Sequence, residues 1–142
     1  MLLDEAAVGQ LIAEIDASIF VIDCLPNMVA KEVTERTSPL VGILRKAHPT
    51  TPIVLVEDRN YTNSWILKSK QTRNLVNQSA LRAAYDQLKS ADDQLFYITA
   101  IDWLGHDGEA TVDSSHPTDL GFVRQAEAFR KVLAPLVDGS VE

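Results

Sequence analysis

One cysteine, few aromatic residues and no long apolar run set the first limits on this sequence. A single thiol, Cys24, cannot close an internal disulfide, so stability has to come from packing. Cys24 follows a strand-like run and reads as a small core residue; no flanking cation is present to lower its pKa and make it a nucleophile. No apolar run approaches the roughly 20 residues that cross a bilayer, so no membrane span is expected. No positively charged stretch leading into an apolar one opens the sequence, so no signal-peptide pattern is visible and the compartment stays open. Basic residues are in deficit, 13 Lys plus Arg against 20 Asp plus Glu, a net charge of −7. They are scattered rather than striped, which disfavours a nucleic-acid partner. Internal repeats, low-complexity tracts and linkers are also missing.

What is present is a chain of 142 residues, 46% of them hydrophobic, enough for a single domain with a real core. Val8, Leu11, Ile12 and Ile15 recur at helical spacing, with Asp4 as a plausible cap. Ile19-Phe20-Val21-Ile22 is short, continuous and β-branched, as a strand buried on both faces should be. Ser38-Pro39 reads as N-cap and first helical residue, with Leu40, Val41, Leu44 and Ala47 as the buried stripe, and His48-Pro49 closes that helix. Ile53-Val54-Leu55-Val56 is a second buried strand. A long polar loop from Glu57 to about Lys68 follows, then a helix marked by Leu81, Ala84 and Leu88, then a strand at Leu95-Phe96-Tyr97-Ile98. The last helix is expected from Thr118 to about Ala134. Phe122, Ala126, Phe129 and Leu133 form its apolar face, and Pro135 ends it.

Helices alternating with buried strands predict an α/β fold with a parallel sheet and right-handed crossovers. Only three good strands are visible, whereas sheets commonly have about 4 to 6. Two apolar edges would then be open to pairing. The expectation is an incomplete sheet, residues 1–142 forming one domain whose amino-terminal part is absent, and self-association through the Ile19–Ile22 edge.

The chemistry concentrates in Asp113-Ser114-Ser115-His116-Pro117, between the last strand and the last helix. Ligands of open α/β sheets bind outside the carboxyl ends of the strands, where this loop lies. An Asp three residues before a His can fold back onto Nδ1–H, fix the tautomer and leave Nε2 to take a proton from a nucleophile. The same residues are also ordinary in a loop that leads into a helix. Asp23-Cys24-Leu25-Pro26-Asn27-Met28 closes the first strand, and the Asn27 amide is a suitable oxyanion donor there, worth about 3 to 4 kcal/mol where such donors have been removed. The alternative is a plain turn. Arg59, in the long loop, can grip a substrate oxyanion or carboxylate, or simply pair with Glu57, Asp58 or another acid. Trp65 and Trp103 either line the mouth or pack in the core. His106, Asp107, Asp113 and His116 match no compact ligand motif, so neither a metal nor another cofactor is expected.

The order strand, Asn loop, helix, strand, helix, strand, Asp-x-x-His-Pro, helix resembles the carboxyl-terminal two-thirds of an SGNH/GDSL hydrolase. The bacterial branch with Asp-Cys-Leu-Pro-Asn and Val-Glu-Asp-Arg blocks is the most similar; here those are Asp23 to Asn27 and Val56-Glu57-Asp58-Arg59. The resemblance implies a flavodoxin-like three-layer α/β/α fold and hydrolysis of small-molecule or carbohydrate esters. By position it makes His116 the general base, Asp113 its orienting acid and Asn27 an oxyanion donor. The broad family pattern has Gly two residues before that Asn and Asp after it, where this chain has Leu25 and Met28. The family's nucleophilic Ser sits in a Gly-Asp-Ser-like block after its first strand, and no such block occurs in these 142 residues. Ser114 and Ser115 are poor substitutes, having no nucleophile elbow or helix amino terminus behind them.

Three functions therefore compete: part of a serine esterase, a binding module of the same fold, and a receiver domain phosphorylated at Asp23. A receiver needs an upstream acidic pair, a Ser or Thr after its next strand and a Lys-Pro after its last. This chain offers Glu57-Asp58 and Thr99-Ala100, and Asp113-x-x-His116-Pro117 has no receiver counterpart.

Overall fold

The computed structural model describes residues 5–101 and 103–139. Helix α1 (Glu5–Ile12) leads to strand β1 (Phe20–Ile22), a 3₁₀ turn (Leu25–Asn27) and helix α2 (Ala30–Ala47). Strand β2 (Ile53–Val56), helix α3 (Lys68–Lys89), strand β3 (Leu95–Ile98) and helix α4 (Asp119–Asp138) follow. The three strands are parallel in the order β1-β2-β3, with Phe20 opposite Ile53 and Ile53 opposite Leu95.

The short apolar runs become strands because each side chain finds a covered face. In central β2, Ile53, Val54 and Leu55 are fully buried. Ile53 and Leu55 join Phe20 and Leu95 against Val33, Val41 and Leu44 of α2 and Leu81 of α3. Val54, Val56 and Ile98 face the other way, onto Trp103, Leu104 and Ala110, with Phe129, Val132 and Leu133 of α4 packed against them. That arrangement is a three-layer α/β/α sandwich. The outer edge of β1 pairs with no strand among the described residues, and Val21 there is 40% exposed.

Several helix boundaries differ from expectation. Helix α2 starts at Ala30, nine residues' worth of chain before Pro39, which lies inside it. The Glu32 carboxylate accepts from the Val29 N–H at 3.0 Å and caps the true start. Buried Val33, Thr37, Val41 and Leu44 carry one continuous stripe past Pro39, and this packing offsets a penalty of about 3 kcal/mol for proline in a helix interior. Pro135 likewise lies inside α4, which ends at Gly139 in the left-handed conformation, φ 66°. Phe129 and Leu133 pack on the sheet, but Phe122 and Ala126 are exposed, so the buried face is rotated from the expected one. Helix α1 ends at Ile12, leaving Ile15 outside it and exposed, while Asp4 lies outside the described residues. Cys24 is exposed, its thiol 3.4 Å from Met28 Sδ, because it sits beyond the strand on the rim.

Candidate active site

Because the strands are parallel, the segments that follow β1, β2 and β3 start at one end of the sheet. The loop after β3 is shaped by local hydrogen bonds. Val112 N–H donates to the His116 carbonyl at 2.9 Å and Thr118 N–H to the Ala110 carbonyl at 3.0 Å, which pins both legs of the 110–118 loop together. Within it, Asp113 Oδ1 accepts from the backbone N–H groups of Ser115 (3.0 Å) and His116 (2.8 Å). Ser114 adopts φ 73°, the one non-glycine residue with positive φ among those described. This tight turn brings His116 Nδ1 to 2.7 Å from Asp113 Oδ2. The His116 side chain is 78% exposed, so Nε2 faces outward from a ring whose other nitrogen is engaged. The backbone N–H of His116, its imidazole and the Ser115 N–H together hold the Asp113 carboxyl well below its usual range.

The 3₁₀ turn after β1 presents Asn27, an exposed residue whose neighbours are firmly held. Arg73 of α3 donates to the Pro26 carbonyl at 2.8 Å and the Met28 carbonyl at 3.2 Å, and Asn77 Nδ2 donates to Met28 at 2.9 Å. The other side of Arg73 meets Asp58, just beyond β2, at 2.6 Å. Asp58 is fully buried and also accepts from Arg59. Arg59 in turn donates from Nε to the Ser115 carbonyl at 3.0 Å and from Nη2 to the Ser115 hydroxyl. A continuous polar chain thus runs from the Asn27 turn through Arg73, Asp58 and Arg59 to the residue beside His116. Asp23, at the start of the Asn27 segment, has its carboxyl pushed up by burial and by the nearby Asp58 charge, with Arg59 opposing.

These contacts recast two residues. Arg59 is 9% exposed and each of its guanidinium nitrogens is hydrogen-bonded within the protein. It ties the 110–118 loop to Asp58. Glu57 accepts from Tyr97 Oη at 2.8 Å and from Ala100 N–H at 2.7 Å, tying β2 to the chain beyond β3; burial, and then this contact with Glu57, push the Tyr97 hydroxyl pKa upward. Trp65 and Trp103 both line a hollow between the loops after β2 and β3. Among the described residues no group of three or more His, Cys, Asp or Glu is arranged to hold a metal. No helix among them is long and apolar enough to cross a membrane.

The profile of the GDSL-like lipase/acylhydrolase family matches residues 2–134. The chain belongs to that family. A crystal structure of a protein described as a GDSL-like lipase from Bacteroides ovatus is similar with a TM-score of 0.87 and 32% identity, over 92% of this chain and 39% of that one. The salicylyl-acyltransferase of a tetracycline biosynthetic pathway shares the fold, with a TM-score of 0.69 and 18% identity, over 92% of this chain and 41% of its own. The chain thus spans about two fifths of the length of these solved structures. A search of the curated proteins found no match.

Membership of the GDSL-like family supports a hydrolase or acyltransferase type of function and sets the receiver reading aside. For this GDSL-like chain, sequence reasoning missed Arg73, Asn74, Asn77 and Gln78. Asn74 accepts from Tyr61 N–H at 3.0 Å and donates to the Arg59 carbonyl at 2.8 Å, and Gln78 donates to the Asp58 carbonyl at 2.9 Å. The available signal was the stripe of Leu81 and Ala84, which continues one and two turns earlier as Asn77 and Asn74. Polar side chains on a buried face must find partners, and the loop backbone is what they meet.

Proposed function

We propose that this chain carries the general base and an oxyanion donor of a serine ester hydrolase, with His116 as base, Asp113 as its orienting acid and Asn27 as donor. The observation that carries the reading is the 2.7 Å contact between His116 Nδ1 and Asp113 Oδ2, with the imidazole open on its far side. In this scheme Nε2 takes the proton of a serine hydroxyl as that oxygen attacks the ester carbonyl. The carbonyl oxygen gains negative charge and accepts from the Asn27 amide. His116 then returns the proton to the leaving alkoxide, and water repeats the sequence to release the acid. Arg73, Asp58 and Arg59 set the spacing between donor and base.

The serine of a Gly-Asp-Ser block is not found within these 142 residues. On this reading residues 1–142 are one domain of a sheet completed by polypeptide outside them, which also supplies the nucleophile. The open Ile19–Ile22 edge is then covered by that polypeptide, or by a second copy of the chain when it is alone. A binding module of the same fold is the second reading, favoured by the same missing block.

Turnover of p-nitrophenyl acetate tests the proposal. Loss of the nucleophile from a well-studied serine hydrolase costs roughly 10⁶ in kcat, about 8 kcal/mol of barrier. The 142-residue chain should therefore run near background. A longer polypeptide with a Gly-Asp-Ser block ahead of these residues should be faster by several orders of magnitude, and His116→Ala should abolish the gain. Stoichiometric labelling of the short chain by a fluorophosphonate would put the nucleophile inside it and overturn this account.

A further inference from the structure

We propose that the turn after β2 and the outer face of α3 form a docking surface for peripheral contact with an anionic lipid bilayer. The surface goes beyond the esterase reading and needs no catalytic role for His116.

The turn presents three consecutive apolar side chains to water: Trp65 is 81% exposed, Ile66 62% and Leu67 44%. Hydrogen bonds hold it in that shape. Ser64 N–H donates to the Tyr61 carbonyl at 3.0 Å, and the N–H groups of Ile66 and Leu67 donate to the Asn63 carbonyl at 3.1 and 3.0 Å. Buried Asn74 of α3 accepts from Tyr61 N–H at 3.0 Å and fixes the foot of the turn. A surface already ordered in this way loses little conformational freedom on docking. Helix α3 begins directly after Leu67. Asn74, Asn77, Leu81 and Ala84 are its buried stripe, so Lys68, Thr72, Leu75, Ser79 and Arg82, at helical spacing on the other side, face outward. Leu75 and the adjacent Val76 are exposed. The apolar patch thus continues from the turn along the helix, and such contiguous patches mark interaction sites.

Charge decides the partner. No Asp or Glu occurs between Asp58 and Asp86, whereas Arg59, Lys68, Lys70, Arg73 and Arg82 all do, in a chain of net charge −7. Arg59 and Arg73 share the one Asp58 carboxylate, which leaves positive charge beneath the turn. Lys68 is exposed, and Lys70 Nζ lies 4.2 Å from the Tyr61 ring centroid instead of against a carboxylate. The first turn of α3 holds no acid, although the helix dipole favours one there. By contrast, the exposed Leu120, Phe122 and Val123 of α4 share their helix with Asp119 and Glu127. An indole at the tip, aliphatic side chains next to it and lysines behind suit a headgroup region. The indole sits at the boundary of water and hydrocarbon, and ammonium groups meet anionic headgroups. A soluble polyanion would engage the lysines and leave Trp65, Ile66 and Leu67 in water. Thr62 N–H donates to the Ser114 carbonyl at 3.1 Å, and the Thr62 hydroxyl lies 2.9 Å from that of Thr111. The docking turn and the 110–118 loop are therefore hydrogen-bonded to each other.

Vesicle sedimentation and tryptophan emission test the surface without any turnover. The 142-residue chain is mixed with vesicles of phosphatidylcholine alone or with about a quarter phosphatidylglycerol. Half of it should bind the anionic vesicles at about 0.1 to 1 mM accessible lipid, the range of a single acyl anchor. Raising salt from about 0.1 to about 0.5 M should weaken binding. Trp103 is buried, so a blue shift of emission on binding reports Trp65. Trp65→Ala should remove the shift and weaken binding about tenfold. Lys68→Gln together with Lys70→Gln should weaken it about 25-fold, about fivefold for each charge. Phe122→Ala, which removes another exposed aromatic ring, should do neither. A longer polypeptide with a Gly-Asp-Ser block should bind as the short chain does. Absence of binding, an equal loss with Phe122→Ala, or binding of heparin as tight as that of the vesicles would overturn the surface. Binding by the short chain but not the longer one would overturn it too, by showing that other polypeptide covers Trp65. A lipid-free change of oligomeric state in Trp65→Ala would give the patch to a second copy of the chain instead.

Discussion

Arg73 reaches from α3 to the fully buried Asp58 carboxylate, its Nη1 2.6 Å away, and its Nη2 donates to the two carbonyls that flank Asn27. The pair joins the carboxyl ends of β1 and β2 more firmly than the sheet alone does.

Asp58→Ala would leave Arg59 and Arg73 facing an unfilled, uncompensated site. Breaking a buried pair by removing one partner costs about 3 to 5 kcal/mol. Urea unfolding should show a loss of that order. Arg73→Ala should cost less, since Asp58 keeps Arg59 and the Arg73 side chain is 27% exposed. A double-mutant cycle between positions 58 and 73 should give a coupling of about 0.5 to 3 kcal/mol. Additive losses would show that the two side chains do not act as a unit.

Gly121 packs so closely under the 110–118 loop that a Cβ there would overlap the Ala110 carbonyl oxygen and lie 2.9 Å from Pro117 Cβ. Gly121→Ala must push the 110–118 loop away from α4. Overpacking of this kind costs about 1 to 3 kcal/mol. The melting temperature should fall, and amide shifts should change at His116 while the α2 and α3 signals stay put. An unchanged spectrum around His116 would show that the loop does not depend on this close approach.

The Asp113 carboxyl should titrate well below its ordinary value of 3.8. A depressed folded-state pKa contributes stability that is fully present above the ordinary value and is lost only as pH falls through the lower one. The loop should therefore keep its shape as pH drops past the point where free aspartate protonates. Side-chain ¹³C NMR measures this directly. His116→Ala should raise the Asp113 pKa only part of the way, since the backbone N–H groups of residues 115 and 116 still donate to it. An Asp113 that titrates normally in the native chain would mean the turn is open in solution.

The strands were legible because each is a short unbroken apolar run whose length alone separates it from a helix. The Asp113–His116 contact was legible for a related reason, since three residues of spacing suffice to close it. Ser38-Pro39 points to the wrong start for α2 because proline signals a first turn locally, and only the burial of Val33 and Thr37 ahead of it shows that the helix is already under way. Pro135 misled in the same manner. The pairing of Asp58 with Arg73 could not be read from the sequence, because 15 residues and a change from loop to helix separate them. The commitment of Arg59 to Ser115 spans 56 residues and depends wholly on the tertiary fold.

The Asp113 turn is local, while its placement against the sheet is not. Its hydrogen bonds span two or three residues, so a short peptide covering 109–120 can sample the His–Asp contact before any sheet exists. The links from Arg59 to Ser115 and from Arg73 to Pro26 span 56 and 47 residues, and contacts of such separation form only after the loops between them have closed. The Asp113–His116 pair is thus made early and aimed late. A partly folded form would hold a paired imidazole pointed at nothing, and, on the role proposed for His116, competence would arrive together with the last long-range contacts.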